Sequence, residues 1–139
     1  MTVSTREVHA QVWALLAAVA GVNTYDGEVP TNPPVDTDGR VHAYAVLYLF
    51  PGRPTALTLD ATQSSLLGGF QVTCVGGDPT RALWCLDKVR AALVGAFVTV
   101  DGREHQITAS EFDPGSVRRD DDVTPPRHYV PDRYDLFIP

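Results

Sequence analysis

The sequence predicts an α+β domain: a largely antiparallel or mixed sheet of roughly four to six strands, flanked by two main helices, with long charged or proline-rich loops. Three observations carry that expectation. Between Phe70 and Val94 an alternating strand, a Gly-Gly break and a capped helix follow one another without interruption. From Val41 to Phe50 the chain is apolar on both faces of a two-residue repeat, as an interior strand must be. An Asp101-Gly102 pair then sits between two alternating runs, a strong hairpin signal.

The elements follow in order. Ser4-Thr5-Arg6-Glu7 matches a capping box, in which the serine accepts from the helix backbone and the glutamate reaches back. Val8, Val12, Leu15 and Val19 recur at helical spacing as a narrow buried stripe, and Gly21 is the expected stop. Ala10, Ala14, Ala17 and Ala18 make one side of this helix small enough for another backbone to approach closely, and Trp13 projects well off the stripe. Val22 to Tyr25 reads as a short extended piece and Asp26-Gly27 as a tight turn. Pro30, Pro33 and Pro34 bar regular structure through a linker that ends in the Asp36-Thr37-Asp38-Gly39 turn.

In the strand from Val41 to Phe50, Val41, Ala43, Ala45, Leu47 and Leu49 face one way, and His42, Tyr44, Val46, Tyr48 and Phe50 the other. Cover on both faces is implied, by helix or by a neighbouring subunit. Pro51-Gly52-Arg53-Pro54 is expected to break it, with a short strand at Ala56 to Leu59 and a polar loop from Asp60 to Gly69. Phe70 to Val75 is the next strand. Asp78-Pro79 opens a helix that runs to about Gly95. Ala96 to Val100 and Arg103 to Thr108 form the hairpin. Glu111 to Arg127 reads as a long charged excursion, and Tyr129 to Ile138 as a closing strand with Pro131 at a bulge or an edge.

Length and composition suit one domain over residues 1–139 with a real core. The formal net charge of -6 argues against tight binding to DNA or RNA, since phosphate recognition needs basic patches. No run approaches the roughly 18 apolar residues of a membrane span. The apolar stretch from Val12 to Val22 has acidic Glu7 before it and helix caps around it, so it reads as a folded helix and not as a secretory leader. Cys74 and Cys85 lack a metal-ligand spacing and are expected as two buried reduced thiols, which suits assembly in a cytosol.

Motifs of catalysis are missing. There is no nucleophile elbow, no phosphate-binding Gly-x-x-x-x-Gly-Lys and no His-Glu-x-x-His. His9, His42, His105 and His128 lie on separate elements, and none is placed beside a nucleophile. Gly76-Gly77 before a helix resembles an anion site, but Asp78 would occupy the free backbone donors as an N-cap and repel a second anion. Asp120, Asp121 and Asp122, with Glu111 and Asp113 nearby, lack the alternating spacing of a calcium loop and read as solvated. No catalytic residue, metal ligand or cofactor is expected.

Surfaces are more informative. On the second helix Ala82, Leu86, Val89 and Leu93 fall within about 60° of one another and define the core face. Trp84 points the other way, beside Arg81, Asp87 and Lys88. Two readings of Trp84 stand open: cover by a loop of its own subunit, or a protein-protein contact, where Trp and Arg are enriched. Trp13 is open in the same way. The block Arg118-Arg119-Asp120-Asp121-Asp122 suits ionic docking to a neighbour. Trp84, Arg81, Lys88, Trp13, Arg118, Arg119, Asp120, Asp121 and Asp122 are therefore the candidate contact residues.

The order of these elements resembles a known family. The capped first helix, Tyr25-Asp26-Gly27-Glu28-Val29-Pro30, the tyrosine-bearing strand from Ala43 to Phe50, Phe70-Gln71-Val72-Thr73-Cys74-Val75-Gly76, the helix from Asp78-Pro79-Thr80-Arg81-Ala82, and a late charged loop before Arg133-Tyr134-Asp135-Leu136 carry the likeness. Together they look like the tail terminator, or tail completion, proteins of long-tailed siphophages, particularly of actinobacterial hosts. The resemblance implies a non-enzymatic virion protein of the neck region, assembled in the host cytoplasm. It implies a homo-hexameric ring on the head-proximal end of the tail tube that stops tube polymerisation and receives the head connector. Partners would be further copies of itself, the tail tube protein and a head-completion protein, with DNA passing through the lumen unbound and no membrane involved. The family fold is a sheet flanked by helices. Two other readings are kept: another neck or head-completion connector, and a small cytosolic ligand-binding or enzymatic α+β domain, which would need a pocket with convergent polar groups.

Overall fold

The computed structural model describes residues 4–56 and 63–138. Two helices, α1 (Thr5–Ala17) and α2 (Pro79–Leu93), lie on one face of a six-stranded sheet. The sheet is built from β1 (Asn23–Asp26), β2 (Tyr44–Ala56), β3 (Gln63–Gly76), β6 (Thr108–Ala109), β7 (Arg118–Asp120) and β8 (Arg127–Ile138), in the order β1-β2-β3-β8-β6, with β7 also on β8. A separate hairpin joins β4 (Phe97–Val100) to β5 (Arg103–Gln106). The α+β expectation holds. The sheet is antiparallel except for β1, which runs parallel to β2.

Both helices start at the expected caps, although at α1 only the serine half of the capping box forms. The Ser4 hydroxyl accepts from the Glu7 backbone N–H at 3.2 Å, and Asp78 Oδ1 accepts from the Arg81 N–H at 2.8 Å. α1 stops earlier than expected, at Ala17, and Gly21 instead serves the turn into β1 with φ +79°. The buried stripe is accordingly Val8, Val12 and Leu16, while Leu15 and Val19 only flank the core. On α2 the buried set is Ala82, Cys85, Leu86, Val89 and Leu93, the face the 3.6-residue period selects.

The strand run differs from expectation at its far end. Pro51 to Pro54 does not end β2. The register with β3 slips between Phe50 and Arg53, so Pro51 and Gly52 fall in an irregularity, where a missing N–H costs no ladder bond. The polar stretch after Gln63 is part of β3 and pairs back onto β2 as far as Ala56. Residues 57–59 of the expected short strand, and the start of the expected loop, lie outside the described residues. The charged excursion is also not all loop. β6 and β7 both add to the edge of β8, which satisfies backbone groups there.

The main core fills the space between helices and sheet, with Phe70 stacked on Tyr134 at 5.1 Å. A smaller cluster of Val41, Tyr44, Val46 and Val75 lies on the opposite face of the sheet, backed by Tyr25, Tyr48 and Tyr129. The two-sided burial of β2 is thus achieved within one subunit, over the residues that pair with β1. Gly76 allows the close docking of α2 onto β3: a Cβ there would meet the Ala82 backbone nitrogen at 2.5 Å. Gly77 is similarly crowded by Arg40 and Val41, so this pair serves packing, with Asp78 as cap.

Candidate interaction surfaces

The predicted contact residues separate into three groups. Arg81 is held within its own subunit. Its guanidinium pairs with Asp36, donates to Asp38 Oδ2 at 3.0 Å and lies 3.8 Å from Asp78 Oδ2. Arg40 adds a 2.8 Å bond to Asp78, and His42 Nδ1 lies 2.9 Å from Asp36 Oδ1. These groups latch the proline linker to the start of α2. The His42 hydrogen bond, aided by Arg81, holds the Asp36 carboxyl below its ordinary range. The Arg81 backbone N–H, aided by Arg40, does the same for Asp78.

The acidic block folds on itself. Arg119 pairs with Asp121, and Asp120 Oδ1 accepts from the Asp122 N–H at 3.1 Å. Arg118, Arg119 and Asp120 form β7 against β8, with Arg118, Arg119, Asp121 and Asp122 exposed. Among the described residues no group of three or more His, Cys, Asp or Glu is placed to hold a metal ion.

The tryptophans differ. Trp13 is half-buried and packs against the main core. Trp84 is partly covered by its own subunit. One ring edge lies against the turn at Gly21, 3.1 Å from where a Cβ would sit, yet the residue is 42% exposed, with the Lys88 ammonium 5.7 Å from the ring centroid. Leu83, Val94 and Phe97 are exposed on the same helical side, and Phe97 helps line an open groove with Ala14, Leu15, Ala18, Val19 and Ala92. Of the α1 alanines, Ala14 and Ala18 line it.

Sequence reasoning missed the other surface. Beyond Tyr48 the outer face of the sheet is open and aromatic. Phe50 and Phe137 (53%) are exposed. The Arg133 guanidinium lies 4.2 Å from the Phe112 ring centroid and 5.7 Å from that of Phe50, and its Nε donates to Gln71 Oε1 at 3.3 Å. The alternation in β8 already placed Arg133, Asp135 and Phe137 together. Their meeting with Phe50 follows only from the β2-β3-β8 register.

Two buried polar groups were also missed. Asp132 sits on the core side of β8. It accepts from Arg90 Nε at 2.8 Å and Nη2 at 3.2 Å, and from the Tyr134 hydroxyl at 3.0 Å. The Asp132 hydrogen bond raises the Arg90 pKa, and burial, reinforced by the Asp132 charge, raises that of Tyr134. A polar residue at a core-facing position of a strand was the signal in the sequence. Arg127, only 7% exposed, donates Nη1 to the Pro30 carbonyl and the Tyr44 hydroxyl and Nη2 to the Thr31 carbonyl, so it ties the linker across the outer face. It lines a hollow of about 200 Å³ with Val29, Tyr44, Val46, Thr73, Val75, Asp120 and Tyr129.

The thiols are placed as expected. Cys74 and Cys85 are free and buried, and Cys85 donates to the Tyr44 carbonyl at 3.5 Å. The contact with Cys85, together with burial, pushes the Cys74 thiol well up, away from the nucleophilic thiolate. No described helix is long and apolar enough to cross a membrane.

These features define an α+β domain with a mixed sheet covered by helices on one face and bearing an aromatic patch on the other. No family model matches the chain, and no curated protein matches it. A solved structure superposes over 99% of this chain and 97% of its own length, with a TM-score of 0.53 at 15% identity. At that identity the likeness is one of fold alone.

Proposed function

We propose that this protein is a ring-forming tail terminator of a long-tailed phage, which caps the head-proximal end of the tail tube. One observation carries the reading. A single subunit exposes large apolar side chains on opposite sides: Leu83, Trp84, Val94 and Phe97 on the helical side, Phe50 and Phe137 on the outer sheet face. Two different patches that satisfy each other make a head-to-tail contact. Such contacts close into rings when the rotation allows. The element order that resembles tail terminators supports the same reading, as does the acidic balance, which suits a lumen that DNA traverses without adhering.

Native mass spectrometry and negative-stain imaging of the purified chain, alone and mixed with tail tubes, test it. Rings, free or on tube ends, are the expected result. A strictly monomeric protein without affinity for tubes ends the proposal. A neck connector would form rings that bind portal-side components and ignore tubes. The ligand-binding reading draws on the hollow at Arg127, but the Pro30, Thr31 and Tyr44 contacts engage that guanidinium as a clamp.

A further inference from the structure

We propose that the hollow beside Arg127 binds a small monocarboxylate with a compact apolar body, whether or not copies of the chain close into a ring. The Arg127 guanidinium is buried, and among the described residues no carboxylate lies within ion-pairing distance of it. The Pro30 and Thr31 carbonyls and the Tyr44 hydroxyl engage Nη1 and Nη2. These partners accept hydrogen bonds but supply no negative charge. Nε is buried as well and has no partner among the described residues. A buried charge without a counter-ion is costly, so this one favours an anion.

Two more donors line the same hollow. The Tyr44 hydroxyl accepts from Arg127, and its own proton goes to no acceptor among the described residues. The Thr73 hydroxyl accepts from Gln71 Nε2 at 3.2 Å and likewise keeps its proton to give. Tyr44 stands opposite Val75, and Val46 opposite Thr73, in the register of β2 with β3, which gathers these side chains on the outer face. Arg127 Nε and the two hydroxyls suit a carboxylate, whose two oxygens offer about four acceptor positions.

The rest of the wall sets the body of the ligand. Val29, Val46, Val75 and the Tyr129 ring are apolar. The volume of about 200 Å³ exceeds the roughly 150 Å³ that admits benzene, so one ring with its carboxylate fills it. Asp120 limits the charge. It stands opposite Arg127 in the register of β7 with β8 and lines the same hollow, so it repels a dianion. Val29 belongs to the linker that Arg127 already ties at Pro30 and Thr31. A bound carboxylate therefore spans linker and sheet and fastens the linker further.

Benzoate, benzamide and phenyl phosphate, titrated into the full chain at constant ionic strength and followed by amide chemical shifts, test the site. Benzoate should give saturable shifts at Val29, Thr73, Val75 and Tyr129, and neutral benzamide and dianionic phenyl phosphate should bind at least about tenfold more weakly. Arg127 also holds the linker, so the deciding variants lie elsewhere. Thr73→Val removes one donor with little change of shape and should weaken benzoate about tenfold. Val46→Phe fills the hollow and should abolish the shifts while the amide spectrum of the sheet persists. No saturable shift with benzoate, equal binding of benzamide or phenyl phosphate, or parent-like affinity in the folded variants overturns the proposal and leaves Arg127 as a clamp alone.

Discussion

At the scale of single residues, the most consequential position is Asp132. Strand alternation places it with Tyr134, Leu136 and Ile138, all buried, so its carboxylate relies on Arg90 and Tyr134. Removing one partner of a buried pair leaves the other charge uncompensated. Arg90 is half exposed, which limits the loss, so Arg90→Met should cost about 2 kcal/mol in urea unfolding. A loss below about 0.5 kcal/mol would mean that Tyr134 alone satisfies Asp132. Gly76→Ala should cost at least as much, because its Cβ would meet backbone atoms of Arg81 and Ala82 at 2.7 and 2.5 Å, and backbone cannot step aside as a flexible side chain can. Trp84→Ala makes the contrast. More than half of the residue is covered, part of it at Gly21, so the subunit should lose about 2 kcal/mol, while ring formation should weaken far more. A large fall in melting temperature would reassign Trp84 to the core.

At the scale of elements, the linker between β1 and β2 is held by charge more than by apolar burial. Asp36, Asp38 and Asp78 meet Arg40, Arg81 and His42, and Arg127 fastens the other end. The Asp36 and Asp78 carboxyls lie below their ordinary value of 3.8 in the folded chain. Lowered carboxyl values stabilise the fold fully above the unfolded value, and that contribution disappears as pH falls through the folded values. Amide protection factors over residues 30–42, which correct for the intrinsic slowing of exchange in acid, should therefore stay high at pH 5 and fall below about pH 3.8, before α2 and β3 lose protection. Equal protection factors at both pH values would mean that packing, not the ion pairs, holds the linker. What the sequence disclosed about elements follows the range of the forces involved. Caps, the Asp101-Gly102 turn with both residues at positive φ, and the core face of α2 depend on neighbours a few residues away, and all were legible. The passage of β2 through Pro51 and Pro54, the parallel pairing of β1, and the edge strands β6 and β7 depend on partners far along the chain, which no local pattern reports. The candidate surfaces divide the same way: helix period exposed Trp84, whereas Phe50, Arg133 and Phe137 meet only through sheet register, and Arg81 looked free until the linker folded onto it.

At the scale of the whole molecule, net charge competes with contact. Each copy carries -6, so copies drawn into a ring repel one another across distances longer than any single joint. Salt distinguishes the two terms. The screening length is about 30 Å at 0.01 M and about 8 Å at 0.15 M, so physiological salt removes most long-range repulsion. Apolar burial is not screened at all. Assembly should consequently strengthen as salt rises from about 0.01 to 0.15 M, the reverse of what a purely ionic joint would show. Sedimentation of the parent chain across that series checks the sign. The same acidity should leave a short DNA duplex unretained at 0.15 M salt in an anisotropy titration, because phosphate contacts need basic side chains in excess. Assembly that weakens steadily with salt, or a duplex that binds, would place the cohesive force in charged groups and remove the apolar patches from the centre of the proposal.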